Sequence, residues 1–192
     1  MKKLFFAAVA VMAFGFINAQ ETKFGAKAGL NLSNLTGDAE GNSMKVGFQV
    51  GGFAEIKISE KFAIQPELVY SAQGAKFEEE FFGETFEFDL NLGYINVPVL
   101  AKYYVAEKFS LEAGPQVGFL ISAKAKGEGE SEDVKEDFNS LDFGFNLGAG
   151  YDVSENINLS LRYTAGLSNI AKDSGDQKVG NSNIAFAVGY RF

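Results

Sequence analysis

The 192 residues contain no cysteine, no histidine, no tryptophan and only three prolines. Without cysteine there is no disulfide framework and no thiol to carry a lipid anchor, so any membrane attachment falls to the polypeptide itself. Without histidine the commonest general base and the commonest transition-metal ligand are missing. We therefore expect no catalytic residues, no metal site and no cofactor. Long apolar runs are absent after residue 20, which excludes a membrane-spanning helix there. Positive charge is also in short supply, with 17 basic against 25 acidic residues. Nucleic acid is excluded as a partner, because phosphate binding needs a basic surface.

The chain opens MKKLFFAAVAVMAFGFINAQ. Two lysines, an uncharged run from Leu4 to Ile17 and a small residue at Ala19 are the layout of a cleaved secretory signal peptide. The run is shorter than the roughly 20 residues that cross a bilayer as a helix. We expect a signal peptide over 1–19 and one exported domain over 20–192. Loss of Lys2 and Lys3 from the 17 basic residues leaves 15 against 25 acidic, a net of −10.

What the chain does have is glycine, phenylalanine and tyrosine in strict alternation. In LDFGFNLGAGYDV (141–153) every second residue is apolar: Leu141, Phe143, Phe145, Leu147, Ala149, Tyr151 and Val153. That period belongs to an extended strand. Eight such segments run along the chain, near 23–33, 45–59, 62–72, 86–103, 109–121, 141–153, 157–167 and 183–192. In the fourth the apolar set changes from even positions (Phe86, Phe88, Leu90, Leu92) to odd ones (Ile95, Val97, Val99, Ala101, Tyr103). A β-bulge produces such a slip, and Gly93 is its natural place. Pro66, Pro98 and Pro115 fall inside segments, where a missing N–H interrupts the ladder, and bulges would accommodate them.

Connections alternate in length. SEK (59–61), AEK (106–108) and SEN (154–156) are tight, whereas those near 35–44, 74–85, 123–140 and 168–182 are long, polar and glycine-rich. Short turns on one rim, long loops on the other and an even strand number describe an all-β, eight-stranded antiparallel up-and-down transmembrane β-barrel. The alternative is a soluble, lipocalin-like barrel with its apolar face inside.

The two faces decide between them. The apolar face of all eight segments carries no charge. The other carries Lys27, Lys57, Lys102, Arg162 and Arg191 with Glu55, Glu67, Glu112, Asp142 and Asp152, five of each sign. A closed, low-dielectric interior requires such balance, since buried charges must be paired. The bulky apolar side chains would overfill an eight-stranded interior. We assign these ten residues to a charge network in the lumen and the apolar face to outer-membrane lipid. Tyr70, Tyr103, Tyr151, Tyr163 and Tyr190 are candidates for an interfacial girdle, incomplete without tryptophan. The acidic loop 123–140 lacks the spacing of a calcium loop and reads as solvated.

YINVPVLAKYY (94–104), LEAGPQVGFLI (111–121), FGFNLGAGY (143–151) and LSLRYTAGLSNI (159–170) resemble the recurring segments of the porin-family, PorT-type outer-membrane β-barrel domain. The resemblance spans the exported chain and implies an OmpA- or OmpX-like barrel in a Gram-negative outer membrane. The terminal pair Tyr190 and Phe192 resembles the C-terminal signal read by the barrel assembly machinery. The expected protein is a monomeric, non-enzymatic, side-chain-filled barrel whose long loops meet an extracellular or periplasmic partner. A small channel or transporter, and an accessory role in secretion, are the alternatives.

Overall fold

The computed structural model describes residues 21–39, 41–81, 84–127, 130–172 and 174–192. The expected leader, 1–19, lies outside the described residues. Nine strands follow one another: β1 (Thr22–Gly37), β2 (Asn42–Ser59), β3 (Phe62–Phe81), β4 (Glu84–Ala106), β5 (Phe109–Gly127), β6 (Glu130–Asp133), β7 (Leu141–Asp152), β8 (Ile157–Gly166) and β9 (Val179–Arg191). Each of the long strands pairs antiparallel with its neighbours in the order β4-β3-β2-β1-β9-β8-β7-β5, and β4 pairs with β5 to close the ring. Eight strands form the barrel. The short β6 folds back on the end of β5, pairing Lys124 with Asp133 and Gly127 with Glu130.

Alternation sets which way each side chain points. On β9, Asn183, Ala185, Ala187 and Arg191 are buried, while Phe186, Val188 and Tyr190 are exposed. On β7, Asp142 and Asn146 are buried and Phe143, Phe145 and Leu147 exposed. The charged and amide side chains fill the inside, and large apolar side chains cover the outside.

Three expectations are corrected. First, the stretch 74–85 is not a loop: β3 and β4 run on as a hairpin, with pairs continuing out to Phe81 and Glu84. Second, β4 does not slip at Gly93. Leu90, Leu92, Tyr94, Leu100 and Lys102 are all buried on its even face, and its register with β3 is unbroken from Tyr94 to Glu84. The apolar set changes because the lumen changes from ionic to apolar along the barrel. The bulge lies opposite, on β5: Gly93 pairs with Ser122 and Tyr94 with Leu120, so Ile121 is the extra residue. Third, the prolines are not at bulges. Pairing lapses beside them, between Phe53/Glu67 and Ile56/Ile64, between Pro66/Val99 and Val69/Asn96, and between Pro98/Gln116 and Ala101/Ala113, and resumes in the same register. A missing N–H costs a rung but does not displace the strand.

Gly74 is one of the described glycines that the backbone itself requires. Gly74 has φ 137°, a Cβ there would strike the Leu90 carbonyl oxygen, and its N–H and C=O both bond the Ser33 hydroxyl at 2.9 Å.

Candidate functional site

The lumen is built in layers from the short-turn end upward. At that end the barrel opens in a vestibule of about 820 Å³, lined by Lys23, Lys57, Lys61, Lys108, Glu60 and Glu107 among others. Glu21 stands at its rim, 3.1 Å from Lys23 and 3.7 Å from Lys57. The hydrogen bond from Lys23 and the charge of Lys57 hold its carboxyl below the usual range.

The floor of the vestibule is a single chain of alternating charges. Asp152 meets Arg191 at 2.6 Å, Arg191 meets Glu55 at 3.1 Å, Glu55 meets Lys102 at 2.9 Å and Lys102 meets Glu112 at 3.6 Å. Glu112 then accepts from Arg162 at 2.8 Å, Arg162 forks onto both oxygens of Glu67 at 3.1 Å, and Lys27 closes the series on Glu67 at 3.0 Å. Each of the eight barrel strands supplies one member. Four cations face four carboxylates, and neutral donors complete the set: Tyr104 donates to Glu55 at 2.9 Å and Gln65 to Glu67 at 2.7 Å. Bidentate, charge-assisted bonds of this kind are what allow charges to be buried at all.

Lys57 and Asp142 do not join this chain. Lys57 is partly exposed at the vestibule rim. Asp142 lies higher, where it accepts from the Ser168 hydroxyl at 2.8 Å and from Asn181 at 3.5 Å, with no cation in a salt bridge to it among the described residues. Tyr104 and Gln65 are the participants that the sequence reading missed. Both sit on the inward parity of their strands, two residues from Lys102 and Glu67, and that parity was the available signal.

Above the ions lies a layer of amides and hydroxyls. Asn31 donates to Ser71 at 2.8 Å, Thr164 to Asn146 at 2.7 Å and Asn181 to Gln73 at 2.5 Å. Above these the loop end is closed by an apolar plug of Leu35, Ala75, Leu90, Leu92, Tyr94, Leu120, Ala123 and Ile170. Two connections clasp each other over it. Asn139 donates to the carbonyls of Asn169 and Ala171 at 3.0 and 3.2 Å, Phe138 bridges Ala171, and Ile170 is fully buried.

On the outer wall Tyr103, Tyr151 and Tyr190 are exposed together with Phe109 and Phe192 towards the short-turn end. Tyr163 is exposed farther along β8, and Tyr70 packs on Phe48 with ring centroids 5.7 Å apart. Among the described residues no group of histidine, cysteine or carboxylate side chains is arranged to hold a metal.

The family model for the outer membrane protein beta-barrel domain matches residues 18–172. The chain belongs to this family. It is an integral β-barrel of the bacterial outer membrane, and its exposed apolar wall faces lipid. The Neisserial surface protein A has the same fold, with a TM-score of 0.62 at 16% identity over 90% of this chain and 99% of that one. Ail, the attachment invasion locus protein of Yersinia pestis, matches with a TM-score of 0.51 at 18% identity, over 90% of this chain and 99% of the other. No curated protein matches the chain.

Proposed function

We propose that this barrel is a non-enzymatic monomer whose lumen is filled by its own side chains and passes no ions, with the work of recognition done at the long-loop end. The observation that carries the proposal is the alternating chain from Lys27 to Asp152, in which every charge is already matched by protein. A conducting pore leaves charged side chains facing water, and an eight-stranded barrel has an interior just wide enough for side chains. The plug closes the loop end a second time. Single-protein recordings in a planar bilayer are the test. A flat baseline across a range of voltages is expected, and discrete, reproducible steps would overturn the proposal.

Within the family we place the chain with PorT-type barrels of OmpA/OmpX-like size, on the strength of the segments at 94–104, 111–121, 143–151 and 159–170. The exposed aromatic pair Tyr190 and Phe192, 5.7 Å apart beside the seam of β9 and β1, is the feature we propose the barrel assembly machinery reads. Ail has been crystallised with the polyanion sucrose octasulfate. The 123–140 connection here carries six acidic and three basic residues, so a polyanionic ligand is not carried over to this barrel.

A further inference from the structure

Between the ionic chain and the plug lies a small pocket of about 10 Å³, lined by Glu67, Asn96, Gln116, Thr164, Arg162 and Asn183 among others. That volume is on the order of what a single water occupies. Among the described residues, two buried polar atoms on its lining side chains lack partners, and they are complementary. Arg162 spends both terminal nitrogens on Glu67 and Glu112, leaving its Nε–H without an acceptor. Asn183 directs its amide nitrogen toward Asn31 at 3.5 Å, leaving its Oδ1 without a donor. Both residues are only 6% exposed. Arg162 pairs with Ala185 on β9, so Asn183, two residues along the same face, is its diagonal neighbour. Diagonal neighbours in a sheet stand roughly 7–8 Å apart, and both side chains line the one pocket.

We propose that this pocket is a hydration site: a single long-lived water accepts from Arg162 Nε and donates to Asn183 Oδ1. The neutrality of the ligand follows from the walls. Arg162 repels a cation, and Glu67, lining the same pocket, repels an anion. A buried donor and a buried acceptor left open are each costly, and one bridging water satisfies both. The site lies deep in the lumen among buried side chains, which makes exchange with bulk solvent slow.

Nuclear magnetic resonance of the labelled protein in detergent micelles tests this directly. The chain has two arginines, Arg162 and Arg191, so the Nε–Hε region contains two signals, and Arg191→Lys assigns the remaining one. The Arg162 Hε is expected to give a direct cross-relaxation peak with a bound water. Asn183→Leu, which removes the acceptor and fills the space, is expected to abolish that peak, and Ala185→Val, two residues along the same face of β9, is expected to abolish it by filling the space alone. A wild-type spectrum with no water peak at Arg162 Hε overturns the proposal whether or not either variant folds. A peak unchanged in a folded Asn183→Leu protein overturns the bridge. Neither result bears on bilayer conductance, so this site and the closed lumen stand or fall separately.

Discussion

Arg162 is the residue on which most of the interior depends, because two carboxylates, Glu67 and Glu112, share its guanidinium. Replacing it with methionine leaves both buried without their main counter-charge. Removing one partner of a buried pair costs about 3–5 kcal/mol, and the midpoint of urea unfolding in micelles is expected to fall accordingly. A midpoint within experimental scatter of the parent would remove Arg162 from its central place. Phe145, one strand away and facing outward, fails for the opposite reason. Phe145→Arg places a charge against lipid at a cost of roughly 2–4 kcal/mol near the midplane, so loss of heat-modifiable migration on a gel is expected; normal insertion would reverse the assignment of faces. At this scale the sequence is highly legible, since parity alone separates Phe145 from Asn146. Parity is silent about partners, however. Asp142 and Lys57 share the inward parity of Arg162, yet one lies above the ion chain and the other at its open rim, because height along the barrel is not written in a period of two.

Among the elements, β4 and β5 are where pattern and structure part. The change of apolar parity in β4 looks like a slip, but the strand runs straight and the environment changes around it: Leu90 and Leu92 point inward because the plug is there. The real slip, at Ile121, leaves Leu120 and Ala123 both buried. Deleting Ile121 is therefore expected to give a barrel that still assembles and migrates like the parent, since alternation on both sides survives. Deleting Val117, in the regular part of the same strand, turns one flank of β5 inside out and is expected to abolish assembly. Equal tolerance of the two deletions would show that Ile121 is not the extra residue. The prolines give the third expectation at this scale. Hydrogen exchange is expected to be faster at Glu67, whose rung with Pro98 lapses, than at Val69, whose rung with Asn96 is kept in the same ladder. Uniform protection along β3 and β4 would mean that the rungs are intact. Three prolines in a closed sheet are puzzling in sequence terms because propensity describes single strands; the ring tolerates them because neighbouring rungs hold the register.

For the whole molecule, the barrel is open at one end, bonded through its middle and capped at the other. The chain has no native cysteine, which makes single introduced thiols clean reporters of that layout. Ser154→Cys, at the vestibule, is expected to react quickly with a water-soluble maleimide in the folded protein, and Asn146→Cys, buried in the amide layer, only after heat unfolding. Rapid reaction at position 146 in the folded barrel would mean that the lumen is open to solvent. The overall architecture was readable from alternation and loop lengths because both follow from a sheet that must face lipid on one side. The clasp of Asn139 on Asn169 and the burial of Ile170 were not, because they join connections whose meeting depends on the finished ring. The same dependence gives the ion chain a consequence in time. Lys27, Glu67, Glu112 and Arg162 come from β1, β3, β5 and β8, which are not neighbours in the sheet, so their bonds span the bore and act as struts that cannot form before the last seam, β1 with β9, is zipped. Interactions that arrive after the rate-limiting step slow departure from the native state without hastening arrival. These struts therefore work as a ratchet, setting how long an inserted barrel persists and leaving the pace of its insertion to the apolar wall.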